Sequence, residues 1–209
     1  MEEDEQPPLD AAESLRLIRQ EQTATVRRIV PDPRLLLWPW GVAWLLGFTV
    51  FFLRYGPDDR VLVAMPSWLP LLVLLALILV AGTITGIVGA RAARQVTGPT
   101  SRQGAMYGFT WALAFAGMIS VLNRLGDQLP VGLTNLIWAG TMTALTGALH
   151  MAGGALWNDR TLFRLGAFLS VINVVGVILG PGWHALIVAV LGGGGMLVAG
   201  LVSWLRLPR

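Results

Sequence analysis

The charged residues of this chain fall in short clusters, and between them the sequence runs apolar for whole helix lengths. Leu35–Leu53 reads LLLWPWGVAWLLGFTVFFL, nineteen uncharged residues held between Arg34 and Arg54. At about 1.5 Å per residue, a helix of this length crosses the hydrocarbon core of a bilayer. The pattern recurs and predicts further spans at about 68–90, 104–122, 131–157, 165–179 and 183–205. Arg54–Arg60, Arg91–Arg102, Asn123–Asp127 and Asp159–Arg164 supply the polar turns between them. Forty-one uncharged residues separate Arg164 from Arg206, too many for one crossing, and Gly180-Pro181-Gly182 divides them in two. The expected fold class is all-α: a polytopic bundle of six transmembrane helices over residues 35–209.

Residues 1–34 follow a different pattern. Met1–Asp10 is acidic and carries two prolines, which reads as a disordered tail. It lacks the basic start and short apolar stretch of a signal peptide. Leu9–Val30 predicts an amphipathic helix, with Asp10 and Glu13 in capping-box spacing and Ala11, Leu15, Ile18 and Ile29 at helical intervals. Arg16, Arg19, Arg27 and Arg28 cover much of the remaining surface. Such a helix lies along an anionic leaflet, docks on a protein partner or a second copy of the chain, or extends the first span into the cytosol as a solvated helix. Pro31-Asp32-Pro33 ends it, since proline lacks an amide donor and restrains the residue before it.

Charge then orients the spans. With the N-terminus inside, twelve arginines fall on cytoplasmic segments and three (Arg54, Arg60 and Arg124) on external loops. This bias follows the positive-inside rule and puts both termini in the cytoplasm. Trp38, Trp40, Trp157 and Trp204 fall at the inner boundaries, Trp68 and Trp183 at the outer ones. The formal charge of +3 comes from arginines that flank the spans, so topology explains it without a nucleic-acid partner. All fifteen basic residues are arginine, which fits a GC-rich bacterial genome and a bacterial cytoplasmic membrane, and excludes Schiff-base chemistry through lysine. The absence of cysteine excludes disulfides, thiolate nucleophiles and cysteine metal sites.

No Asp, Glu, Arg or Lys falls within the six expected spans. Ion-coupled transporters and proton pumps hold such groups in the bundle, because the coupled ion needs an opposite charge. The two histidines are thirty-four residues apart, which excludes an HExxH metal pair. Ser120 or Ser170 could formally pair with His150, but no nucleophile motif surrounds either serine. The expectation is therefore no enzyme, no cofactor and no metal.

His150 is the one titratable side chain expected inside the hydrocarbon, either a ligand or pH-sensing group or a neutral imidazole bonded across helices. His184, beside Trp183, is expected at the outer interface. Asn135 and Asn173 are candidates to line a polar cavity or to hydrogen-bond between helices. Gly192–Gly195 either packs tightly or unwinds to expose carbonyls, which makes Gly193 and Gly194 candidate solute-lining positions. Gly82 and Gly86 have GxxxG spacing and are expected to bring helices together.

The odd-numbered spans open alike at Gly41–Trp44, Gly108–Trp111 and Gly166–Leu169, and the even-numbered spans are glycine-rich and end in arginine, suggesting three repeated hairpins. The Asp10–Leu53 junction, with its PDPRLL turn and WGVAWLLGF span, resembles a group of small multipass membrane proteins from actinobacteria. The glycine-rich hairpin pattern is similar to the acid-resistance (HdeD-like) membrane protein family, which implies six spans, repeated hairpins and a stress-related role without enzymatic activity. The functional expectation is a non-catalytic scaffold, sensor or accessory subunit in the lipid bilayer, with a protein partner or as a homo-oligomer. A permease or channel for a small neutral or lipid-like solute is the alternative.

Overall fold

The computed structural model describes residues 10, 12–18, 20–21, 31–95, 98–126 and 128–206. Among these, regular structure is helical: α1 (Pro33–Arg54), α2 (Leu69–Ala93), α3 (Pro99–Gly126), α4 (Val131–Leu156), α5 (Arg160–Leu179) and α6 (Trp183–Leu205). Of the expected amphipathic helix, residues 12–18 are helical and Arg16 is exposed. Arg19, Arg27 and Arg28 lie outside the described residues.

Local signals explain most helix starts. Asp32 caps α1 through its side chain, which accepts from the Arg34 amide at 2.9 Å, and Pro33 fills the first position, where no amide donor is needed. Pro99 opens α3 five residues before the expected Gly104. Asp159 accepts from the amides of Thr161 and Leu162, so α5 starts at Arg160 rather than at Leu165. The arginines thus sit on the end turns of helices, where hydrophobicity alone would have stopped short.

Among the described residues, five helices are long and apolar enough to cross a membrane: α1, α2, α3, α5 and α6. The 26 residues of α4 are uncharged but less apolar, carrying Thr134, Asn135, Thr141, Thr143, Thr146 and His150. Burial accounts for this polarity. The inward face of α4 is Gly140, Thr143, Thr146, Gly147, Leu149, Gly153 and Gly154, packed mainly against α5, so all but one of its side chains are small or polar and meet protein. The leucine-rich α2 is the reverse, with only Pro70 and Ala81 buried.

The helices follow one another in space in the order α2, α1, α6, α5, α4, α3. The core lies where α1, α5 and α6 meet, with Trp44, Phe48, Leu169, Ile172, Val188 and Met196 in one buried cluster. α1 and α6 run antiparallel along their whole length: Arg34 faces Trp204, Trp38 faces Leu197 and Gly200, Gly41 faces Gly193, and Gly56 meets Gly182. The broadest pairing is α4 with α5, which belong to different hairpins of the suggested repeat.

One of the two readings of Gly192–Gly195 is set aside, and the expectation for Gly82 and Gly86 is corrected. Gly192–Gly195 does not unwind: Val188–Gly193 forms a π-helical turn and Gly194–Leu205 continues as α-helix. Nor does the Gly82/Gly86 pair bring helices together within the chain, because neither has a neighbour within 4 Å of its missing Cβ.

Candidate functional site

The most enclosed polar constellation joins α4, α5 and α6. The chain leaves α5 through Gly180-Pro181-Gly182, where Gly180 and Gly182 adopt φ of 88° and 82°. Gly182 is doubly required, since a Cβ there would also lie 2.5 Å from Gly56 and Pro57. This tight turn sets His184 on the first turn of α6, pointing back at α5. Its Nε2 lies 2.8 Å from Asn173 Oδ1. The amide oxygen can only accept, so Nε2–H donates, which in a neutral ring requires the tautomer with its proton on Nε2.

Small residues make room for the pair. A Cβ on Gly176 would come 2.8 Å from the His184 ring, and one on Gly140 would lie 3.8 Å from Asn173 Oδ1 and 3.9 Å from His184 Nε2. Both polar side chains are buried, His184 at 2% and Asn173 at 6% exposure. His184 is therefore not the interfacial residue expected from its neighbour Trp183. The signal that could have found it is the Gly-Pro-Gly turn, which folds position 184 back over position 173.

Asn135 lies on the same helix as Gly140, and its Nδ2 is buried without a hydrogen-bond partner among the described residues. His150 belongs to a separate cluster, since it stands ten positions (about 15 Å) along α4 from Gly140. Its Nδ1 is 2.8 Å from the Thr146 carbonyl, and Trp111 packs edge-on against it with centroids 5.3 Å apart. Tyr107 packs edge-on against Trp157 at 4.8 Å and donates its hydroxyl to the Leu149 carbonyl. These aromatic contacts pin α3 to α4.

The remaining candidates separate further. Gly193 is pressed into α1, where a Cβ would lie 2.7 Å from both Gly41 O and Leu45 N, whereas Gly194 has nothing within 4 Å. Ser120 and Ser170 donate to the Ala116 and Gly166 carbonyls of their own helices. No group of three or more potential metal ligands occurs among the described residues.

A third cluster ties the chain ends of the bundle. Arg34 bonds Asp32 through Nη2 at 2.7 Å, and its guanidinium lies over Trp204 at 4.2 Å and Trp38 at 5.7 Å. Hydrogen bonding from Arg34 holds the Asp32 carboxyl below its ordinary pKa. Of these groups, the His184–Asn173 bond, the Tyr107–Leu149 bond and the Arg34–Trp204 contact hold helices to one another. Compared with family models, curated proteins and solved structures, the chain matches none.

Proposed function

We propose that this chain is a non-catalytic integral membrane protein of the bacterial cytoplasmic membrane, serving as a scaffold, sensor or accessory subunit. The observation that supports this most is the His184–Asn173 pair: two deeply buried polar side chains are spent on each other. Catalysis and ion coupling need a polar group held ready for a substrate or an ion. In this reading α4 is the sixth span, carried by protein contacts on its polar face, and both termini are cytoplasmic. The distribution of arginine supports that orientation, since α1, α2, α3, α5 and α6 present Arg34, Arg91, Arg102, Arg160, Arg164 and Arg206 at one end.

Two experiments test the proposal. A topology reporter inserted between Gly56 and Arg60 is expected to be external, and a cytoplasmic signal there overturns the orientation. The arginine-bearing segment over residues 9–30 is the partner- or leaflet-facing element. Deleting residues 1–30 is expected to abolish association with the partner, and intact association would contradict that role.

The π-helical turn Val188–Gly193 favours one alternative, a permease for a small neutral solute, because π turns recur at functional sites. That reading expects flux in liposomes, reduced by Gly194→Leu without loss of folding.

A further inference from the structure

An open groove of about 600 Å³ lies where the first turns of α3 pass the last turn of α4. Its walls are apolar at Pro99, Met106 and Leu156, and the exposed Arg102 lines it beside them. Each of the other polar side chains along it makes a hydrogen bond within the protein. Thr110 Oγ1 donates to the Met106 carbonyl, Tyr107 donates to the Leu149 carbonyl, and Gln103 Nε2 donates to the Leu156 carbonyl at 3.5 Å. No ion pair involving Arg102 occurs among the described residues. The groove therefore combines an apolar wall with one guanidinium whose five donors suit a phosphate.

We propose that this groove binds an anionic phospholipid, with the phosphate on Arg102 and an acyl chain along Met106 and Leu156. This rests on the membrane-embedded reading above. The level fits: Tyr107 lines the groove and meets Trp157 edge-on, and such aromatic residues settle where headgroups meet acyl chains. Met106 lies one turn deeper than Arg102 along α3, about 6 Å, so the two contacts follow the direction of a lipid from phosphate to chain. Charge selects the anionic class, since Arg102 is, among the described residues, the one charged side chain lining the groove.

The test uses the purified full chain, equilibrated with equal phosphatidylglycerol and phosphatidylcholine and examined by native mass spectrometry. One retained phosphatidylglycerol is expected, preferred roughly tenfold over phosphatidylcholine, as for a charge-assisted hydrogen bond. Arg102→Gln removes the preference, Met106→Trp fills the groove and lowers retention of both lipids, and Arg91→Gln, outside the groove, changes neither. Gel filtration and circular dichroism show whether each variant keeps the wild-type fold. Equal retention by Arg102→Gln and wild type overturns the proposal, as does equal binding of the two lipids. An equal loss in Arg91→Gln also overturns it, because the basic end would then attract lipid diffusely. Lipid retention is read on this chain alone, so its failure is distinct from failure to find a protein partner.

Discussion

The imidazole Nε2 of His184 lies 2.8 Å from the amide oxygen of Asn173, across the Gly-Pro-Gly turn that joins the last two helices. Neither group reaches water or headgroups, so each is the other's replacement for solvent. Asn173→Leu should leave the buried histidine donor unpaired and lower stability by about 1–2 kcal/mol. Adding His184→Phe should recover part of that loss, because no orphaned donor remains. Denaturation of the single and double variants in detergent measures the coupling, and strict additivity would show that the two side chains act independently.

Adjacent glycines of α6 should behave oppositely. A Cβ on Gly193 meets backbone atoms of Gly41 and Leu45, which cannot step aside, whereas one on Gly194 meets nothing within 4 Å. Gly193→Ala is expected to separate α1 from α6 and cost about 2–3 kcal/mol, in the range of overpacked cores. Gly194→Ala should be neutral or stabilising by up to about 1 kcal/mol, the helix-propensity difference. Thermal melts of the two purified variants check this; similar melting points would place the α1–α6 contact elsewhere.

Helix existence was legible in the sequence because lipid imposes length and excludes charge. Leu35–Leu53 between two arginines leaves little else for that stretch to be. Partner choice was not legible. In water an apolar stripe marks the buried face, but here the lipid-facing side is at least as apolar, so leucines on α2 carry no inward direction. The GxxxG pair Gly82/Gly86 shows this: its spacing suggests a contact, and no neighbour is there. The inward signal was the small and polar content of α4, the same feature that makes it the least membrane-like helix. His184 escaped detection because its burial depends on the turn geometry at Gly180 and Gly182, not on its neighbours in sequence.

At the start of α1, Asp32 both caps the helix and pairs with Arg34. Its carboxyl is held below the ordinary aspartate value, so it binds its proton more weakly in the folded state. The linked stability is therefore present above the unfolded pKa, about 4, and is lost as pH falls through the lowered folded value. Wild type should lose stability below about pH 4 by an increment that Asp32→Asn lacks. Asp32→Ala should also lose the cap, about 1 kcal/mol at neutral pH. Melting curves across this acid range give the comparison, and parallel profiles for wild type and Asp32→Asn would remove the ion pair from the account.

The account rests most heavily on the chain working as part of a membrane assembly, without chemistry of its own. Extraction from native membranes in mild detergent, followed by the mass and composition of the intact particle, addresses that directly. The account predicts a second protein in fixed stoichiometry, lost when residues 1–30 are removed. A particle built from this chain alone, carrying solute flux in liposomes, would contradict it.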